Sequence, residues 1–186
     1  METRHPTYRK VVFLEAVMHE QKTVFRSWNK NDFEQVYKIL QESWNEAYAS
    51  FIPKEDLNFY LNQTYNTKKL EELFDKKNVF CFVAEVDGIA VGWLKLSIDE
   101  AEKRFYLSSI YVLPEFQKLK IGKQLMDIAF ATAKEKGFPE IWIGVMDNNI
   151  NALQWYEKTG FVFEEKLPFK MGNTEVQHFI GRKILL

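Results

Sequence analysis

The chain has 186 residues, 46% apolar and 27% charged, enough for one domain with a single sizeable core and ordinary for a soluble globular protein. Basic and acidic side chains number 25 and 26, so the net charge is −1 at pH 7 and no global field argues for nucleic acid. A lone Cys81 excludes an intrachain disulfide, and no apolar run approaches the ~20 residues of a membrane span. The run 11–18 is interrupted by Glu15 and too short for a signal peptide. The expectation is a cytoplasmic protein with no membrane and no nucleic-acid partner.

Residues 1–22 start basic, with Arg4, Arg9 and Lys10, and are read as an N-terminal arm ahead of a single domain over 23–186. A first strand is predicted at 23–28. Capping residues over 29–32 then precede Phe33, Val36, Tyr37, Leu40, Trp44 and Tyr48, whose spacing is that of an amphipathic helix. Pro53 ends it and can start the next. Leu57, Leu61 and Tyr65, then Leu70, Leu73 and Phe74, predict two short helices broken near Asn66. Two strands, 79–86 and 89–98, flank Asp87-Gly88, a hairpin signal because both turn positions want positive φ. Cys81 sits in the first of these and is read as a buried, inert thiol. A charged turn over 99–104 leads to a strand at 105–112, a basic loop, and a helix over 121–136 capped by Gly137. A strand at 140–146, capping residues Asp147, Asn148 and Asn149, and a helix over 150–159 closed by Gly160 come next. A strand opening at 161–163, a turn at 171–174 and a last strand at 176–185 complete the chain. This order is a mixed α/β (α+β) sheet covered by helices, without G-x-G-x-x-G or G-x-x-x-x-G-K-[ST].

The stretch 111–122 joins a buried strand to a helix start. The first N–H groups of a helix have no internal partner and carry partial positive charge. Lys118, Lys120 and Lys123 add formal charge, and Gly122 lets a bulky anion approach the backbone. The turn reads as a pyrophosphate cradle; a solvated lysine-rich helix start is the competing reading.

Gln117-Lys118-Leu119-Lys120-Ile121-Gly122 resembles the Q/R-x-x-G-x-G/A acetyl-CoA loop of the GNAT superfamily of N-acetyltransferases. Asn149-Ile150-Asn151-Ala152, Tyr156 and Gly160-Phe161 resemble its N-x-x-A-x-x-x-Y-x-x-x-G-F element, and the two stand in the family's order. Within the superfamily, Phe59-Tyr60-Leu61, Ile141-Trp142-Ile143-Gly144-Val145 and Met171-Gly172 look like PaiA-type spermidine/spermine acetyltransferases. One position departs: Lys120 stands where the loop pattern has glycine.

The resemblance implies a mostly antiparallel sheet of six to seven strands flanked by helices. It implies direct transfer of the acetyl group of acetyl-CoA, the cosubstrate, to a primary amine. Strands 105–112 and 140–146 would splay to admit the pantetheine arm. Backbone groups of Ile110, Tyr111 and Val112 would pair with it, and N–H groups of Gln117, Lys118, Leu119, Lys120, Ile121, Gly122 and Lys123 would hold the pyrophosphate. Asn149 would bond the arm, cap the helix, or both. Tyr156 would protonate the leaving thiolate, against the alternative of a packed aromatic. No carboxylate lies in 107–110 to serve as base; Glu115 reads as surface, Asp147 as a cap, and Ser108 or Ser109 as holders of a relay water. Cys81 has no activating neighbour, and His5, His19 and His178 have no metal spacing, so no metal is expected. For the acceptor, Glu42, Glu46, Glu55 and Asp56 beside Trp44 and Tyr48 suit a small cationic amine such as a polyamine, or form an ordinary solvated acidic face. A protein or peptide amine, and a non-catalytic acyl-CoA-binding regulatory domain, are the alternatives. The arm and the apolar last strand offer surfaces for a homodimer, although a core strand explains the latter equally well.

Overall fold

Turn and cap chemistry sets the boundaries of the elements. A computed structural model describes residues 22–185; the arm expected over 1–22 lies outside them except for Lys22. The elements are β1 (Thr23–Ser27), α1 (Phe33–Tyr48), α2 (Lys54–Tyr65), α3 (Thr67–Phe74), β2 (Val79–Val86), β3 (Ile89–Asp99), β4 (Arg104–Val112), α4 (Ile121–Glu135), β5 (Glu140–Met146), α5 (Ile150–Lys158), β6 (Val162–Met171) and β7 (Thr174–Ile184). Ahead of α1, Asn29 and Asp32 make a reciprocal capping box. Arg26 forks onto Asp32 at 2.8 Å and reaches Glu85 at 2.9 Å, tying β1, β2 and the helix start together. Asn66 caps α3, its side chain accepting from the Lys69 N–H at 3.0 Å. Asp87 and Gly88 both take positive φ, 51° and 84°, and close the β2–β3 hairpin.

The sheet has seven strands in the order β1-β2-β3-β4-β5-β7-β6. Every neighbouring pair is antiparallel except β4 and β5. Strand alternation sends odd and even positions of β3 to opposite faces. Trp93, fully buried, meets Tyr65 of α2 edge-on at 5.6 Å. Its neighbour Gly92 faces α4, where an added Cβ would press on Ile121 and Leu125. So α1, α2 and α3 cover one face and α4 the other, and a single core fills both layers. Cys81 is buried there, and desolvation pushes its thiol up to about 12. It is inert, as its setting in the sequence implies.

Two expectations change. The basic loop is not irregular: Pro114–Leu119 winds into a 3₁₀ helix, with Pro at its first turn. Asp147 is not the cap of α5. Asn149 is, accepting from the Ala152 N–H at 3.3 Å, while Asp147 pairs with Lys166 at 2.9 Å.

Candidate active site

The site begins with a break in strand pairing. Along β4, Lys95 of β3 faces Ser109 and Leu96 faces Leu107, so Ser108 is an extra residue, a β-bulge. Bulges bend a strand and raise its twist. On the far side, β4 and β5 share only the pair Tyr106↔Trp142. Beyond the bulge β4 leaves β5, which stays paired with β7 as far as Met146↔His178. Residues 107–112 are thus held by β3 on one edge and present the other to the gap.

A cavity of about 790 Å³ fills this gap. One wall is β4 from Leu107 to Val112, continued by Gln117, Lys120, Gly122 and Lys123 at the start of α4. The second is the end of β5 with Asn149, Trp155 and Tyr156 of α5. The third is Ser43, Glu46 and Ala47 of α1, spaced to share one helix face, with Ser50 in the turn after it. Of the residues expected to hold the cosubstrate, Ile110, Tyr111, Val112, Gln117, Lys120, Gly122, Lys123 and Asn149 line the cavity together with Tyr156. Lys118 and Leu119 point outward on the 3₁₀ turn, and Ile121 is fully buried in the core. These three bring at most their backbone to the site.

The turn is built to leave donors free. Gln117 donates its amide to the Val112 carbonyl at 3.3 Å, folding the turn against the strand end. The first N–H groups of a helix lack intrahelical partners, and no side chain caps those of α4, whose Gly122 and Lys123 line the cavity. Lys120, at φ 59° and ψ 17°, is left-handed. This explains why glycine suits the position: an L side chain costs roughly 1–2 kcal/mol in this region. Lysine adopts the same backbone, keeps its side chain exposed, and adds a cation to the rim. Gly122 has a different reason. A Cβ there would make only ordinary contacts, 3.9 Å to Trp155 and 4.0 Å to Val112. The fold tolerates a side chain at that point; the cavity does not need one.

At the other side sits a cluster of phenols from α1, β4 and α5. Tyr156 is 8% exposed, with its ring against Trp155 and Phe161. Burial raises its pKa, and Tyr48 adds to the effect. The hydroxyls of Tyr48 and Tyr111 lie 3.1 Å apart. Burial raises Tyr48 too, offset by hydrogen bonding to Tyr111 and Asn149. Tyr111 is pushed well up by burial, then by Tyr48, Tyr65 and Tyr156 nearby. All of these phenols are therefore protonated at neutral pH.

The carboxylates divide sharply. Glu46 lines the cavity, whereas Glu42 pairs with Lys38 at 3.8 Å and Glu55 is exposed elsewhere on α2. Asp56 is structural: it accepts from the Asn173 N–H at 2.9 Å and Thr174 Oγ1 at 2.6 Å, pinning the β6–β7 turn to α2. Those bonds hold its carboxyl below the usual range. Ser109 and Ser108 line the cavity, but Ser109 donates to the Ser108 carbonyl and Ser108 is bonded to Ser97, both at 2.7 Å. Ser43 and Ser50 escaped the sequence reading. No local signal marks them: Ser43 is a lone serine on an amphipathic helix, and Ser50 lies in the turn that follows it. Among the described residues no group of three or more His, Cys, Asp or Glu could hold a metal. No described helix is long and apolar enough to cross a membrane.

A sheet parted between two parallel strands, with an uncapped, lysine-bearing helix start at one wall and protonated phenols at another, is a frame that suits acyl transfer. The chain belongs to the acetyltransferase (GNAT) family, whose model matches residues 33–161. It is an N-acetyltransferase with acetyl-CoA as cosubstrate. It is 26% identical over 164 residues to an uncharacterized N-acetyltransferase of Lactobacillus delbrueckii subsp. lactis, covering 85% of this chain and 95% of that one. It is 29% identical over 146 residues to a spermidine N(1)-acetyltransferase of Thermoplasma acidophilum, covering 75% and 88%. Its fold matches the PaiA N-acetyltransferase of Thermoplasma acidophilum, solved with coenzyme A, at a TM-score of 0.77 and 24% identity over 88% of this chain and 99% of that one. It also matches the ribosomal-protein-S18-alanine N-acetyltransferase of Escherichia coli at 0.65, with 17% identity over 88% and 94%.

Proposed function

We propose that the cavity seats acetyl-CoA along the free edge of β4 and that the acceptor is a small primary amine of the polyamine type. The observation that carries this reading is the cavity's third wall. Glu46 is a carboxylate on the α1 stripe, flanked by the hydroxyl residues Ser43 and Ser50. Tyr48, Tyr111, Trp155 and Tyr156 line the cavity with it. A carboxylate on an aromatic background suits an ammonium-bearing chain. The spermidine acetyltransferase named above supports the same class.

In this reading the unpaired edge of 107–112 binds the pantetheine amides as an added strand would. The N–H groups opening α4, with Lys120 and Lys123 at the rim, hold the pyrophosphate. A backbone N–H near Val112 stabilises the oxyanion that forms when the amine attacks the thioester. Tyr156 then serves the leaving group. Its raised pKa keeps the proton on the phenol until a thiolate develops. In a dry pocket a hydrogen bond to that growing charge is strong. Asn149, fixed by its cap to Ala152, bonds the arm through its remaining amide group in this reading.

The test is thiol release from acetyl-CoA with a panel of spermidine, a simple alkylamine and a peptide with a free α-amine. Spermidine is expected to be the best acceptor, and Glu46→Gln to raise its KM about tenfold while leaving the alkylamine unchanged, consistent with the worth of one charge-assisted contact. Acetylation of the peptide but not of spermidine overturns the acceptor class.

A further inference from the structure

The family's chemistry needs a route for the amine's proton, and β4 carries no carboxylate between Leu107 and Val112. We propose that the Tyr48–Tyr111 hydroxyl pair is that route, returning to Tyr156 the proton that the amine nitrogen loses. The inference rests on the reading of Tyr156 as the acid.

Three observations support it. The two hydroxyls are 3.1 Å apart, a hydrogen bond in which either can donate, joining α1 to β4 across 63 residues of sequence. Tyr48, Tyr111 and Tyr156 all line the same cavity, and so does Asn149. The Tyr48 phenol is near enough to Tyr156 to act on it electrostatically, and Tyr156 acts likewise on Tyr111. A hydroxyl can accept one proton while it gives another, so it needs no low pKa to relay. That is the property required where burial keeps every phenol neutral. Tyr48 ends α1, the element that carries Glu46, and Tyr111 lies on β4, so the pair joins two walls of the cavity whose other wall carries Tyr156.

The step balances without any added reactant. The amine binds neutral, its extra proton already lost to solvent. As the C–N bond forms and the C–S bond breaks, the nitrogen passes one proton to the pair. The pair passes one on to Tyr156, and Tyr156 gives its own to the sulfur. Every phenol ends as it began, and the products are an amide and a free thiol. Tyr156 touches the reacting sulfur in this scheme. Tyr48 and Tyr111 carry the proton between the reacting nitrogen and Tyr156, either hydroxyl being able to donate to the other.

The experiment is single-turnover acetylation of spermidine in mixtures of light and heavy water. The wild type is expected to give a curved proton inventory, the sign of more than one proton in flight. Tyr48→Phe keeps the ring and removes only the hydroxyl; it is expected to slow the chemical step about 10- to 100-fold, to leave the KM for acetyl-CoA within about twofold, and to straighten the inventory. Tyr111→Phe, an independent disruption of the same pair, is expected to do the same. Either change added to Tyr156→Phe should cost little more than Tyr156→Phe alone, since groups acting as one unit are not additive. If Tyr156→Phe slows the step while Tyr48→Phe and Tyr111→Phe leave rate and inventory unchanged, the relay is overturned and the acid reading stands. If Tyr156→Phe leaves the rate intact, the acid reading falls and the relay with it.

Discussion

The two ends of the β4–β5 junction make opposite use of the same pair of strands. At the N-terminal end the strands touch. Tyr106 pairs with Trp142, and the Arg104 guanidinium lies 3.7 Å from the centre of the Trp142 ring. Arg182 stands 5.5 Å from that ring and pairs with Glu140 at 2.7 Å and Glu164 at 2.8 Å, fixing β7 and β6 to the same place. Past the Ser108 bulge the strands part and the cavity opens. A parallel pair without a closed end would be one sheet cut into two. A pair closed along its whole length would leave no room for a ligand. In the function proposed above the closed end carries stability and the open end carries chemistry, and substitutions should separate the two.

The largest effect should come at the closed end. Trp142 is 5% exposed and anchors two guanidinium groups. Trp142→Ala is expected to cost about 3 kcal/mol in denaturant unfolding. Next, at the open end, Tyr156→Phe is expected to lower kcat about 100-fold, near 2.7 kcal/mol of transition-state stabilisation, with little change in unfolding midpoint. A variant that lost both stability and activity equally would erase the distinction.

Those two positions also show what could be read from sequence alone. The anion turn, α1 and the Asn149–Tyr156 element rest on local patterns, namely caps, helical spacing and glycine placement, and the structure has them near where the patterns put them. The Ser108 bulge is different. It exists only in the register of β4 against β3, which no local pattern encodes. The same holds for Asp56 on the Asn173–Thr174 turn, 117 and 118 residues away, and for the Tyr48–Tyr111 bond. Tyr48 read as core because its spacing on α1 is that of the core stripe, and it is indeed buried. Periodicity reports burial, but not that a buried hydroxyl faces a cavity.

Smaller effects sharpen the contrast within the open end. Gly122→Ala meets only van der Waals contacts. It is expected to leave thermal stability unchanged while raising the KM for acetyl-CoA about tenfold, ~1.4 kcal/mol, because the methyl group stands where the ligand approaches. Lys120→Gly should move the two readouts apart in the other direction. Relief of the left-handed φ of 59° should stabilise the fold by about 1 kcal/mol. Loss of a rim cation should weaken cosubstrate binding slightly, and more at low salt than at high. Melting curves and initial-rate kinetics at two ionic strengths measure both.

Amide hydrogen exchange with and without coenzyme A tests the central claim most directly, that the ligand lies along the open end of this junction. Coenzyme A is expected to slow exchange in 107–112 and in the first turn of α4, and to leave the Arg104–Tyr106 end and the β6–β7 hairpin as they were. Protection confined to other elements, or none at all under conditions where coenzyme A binds, would contradict it.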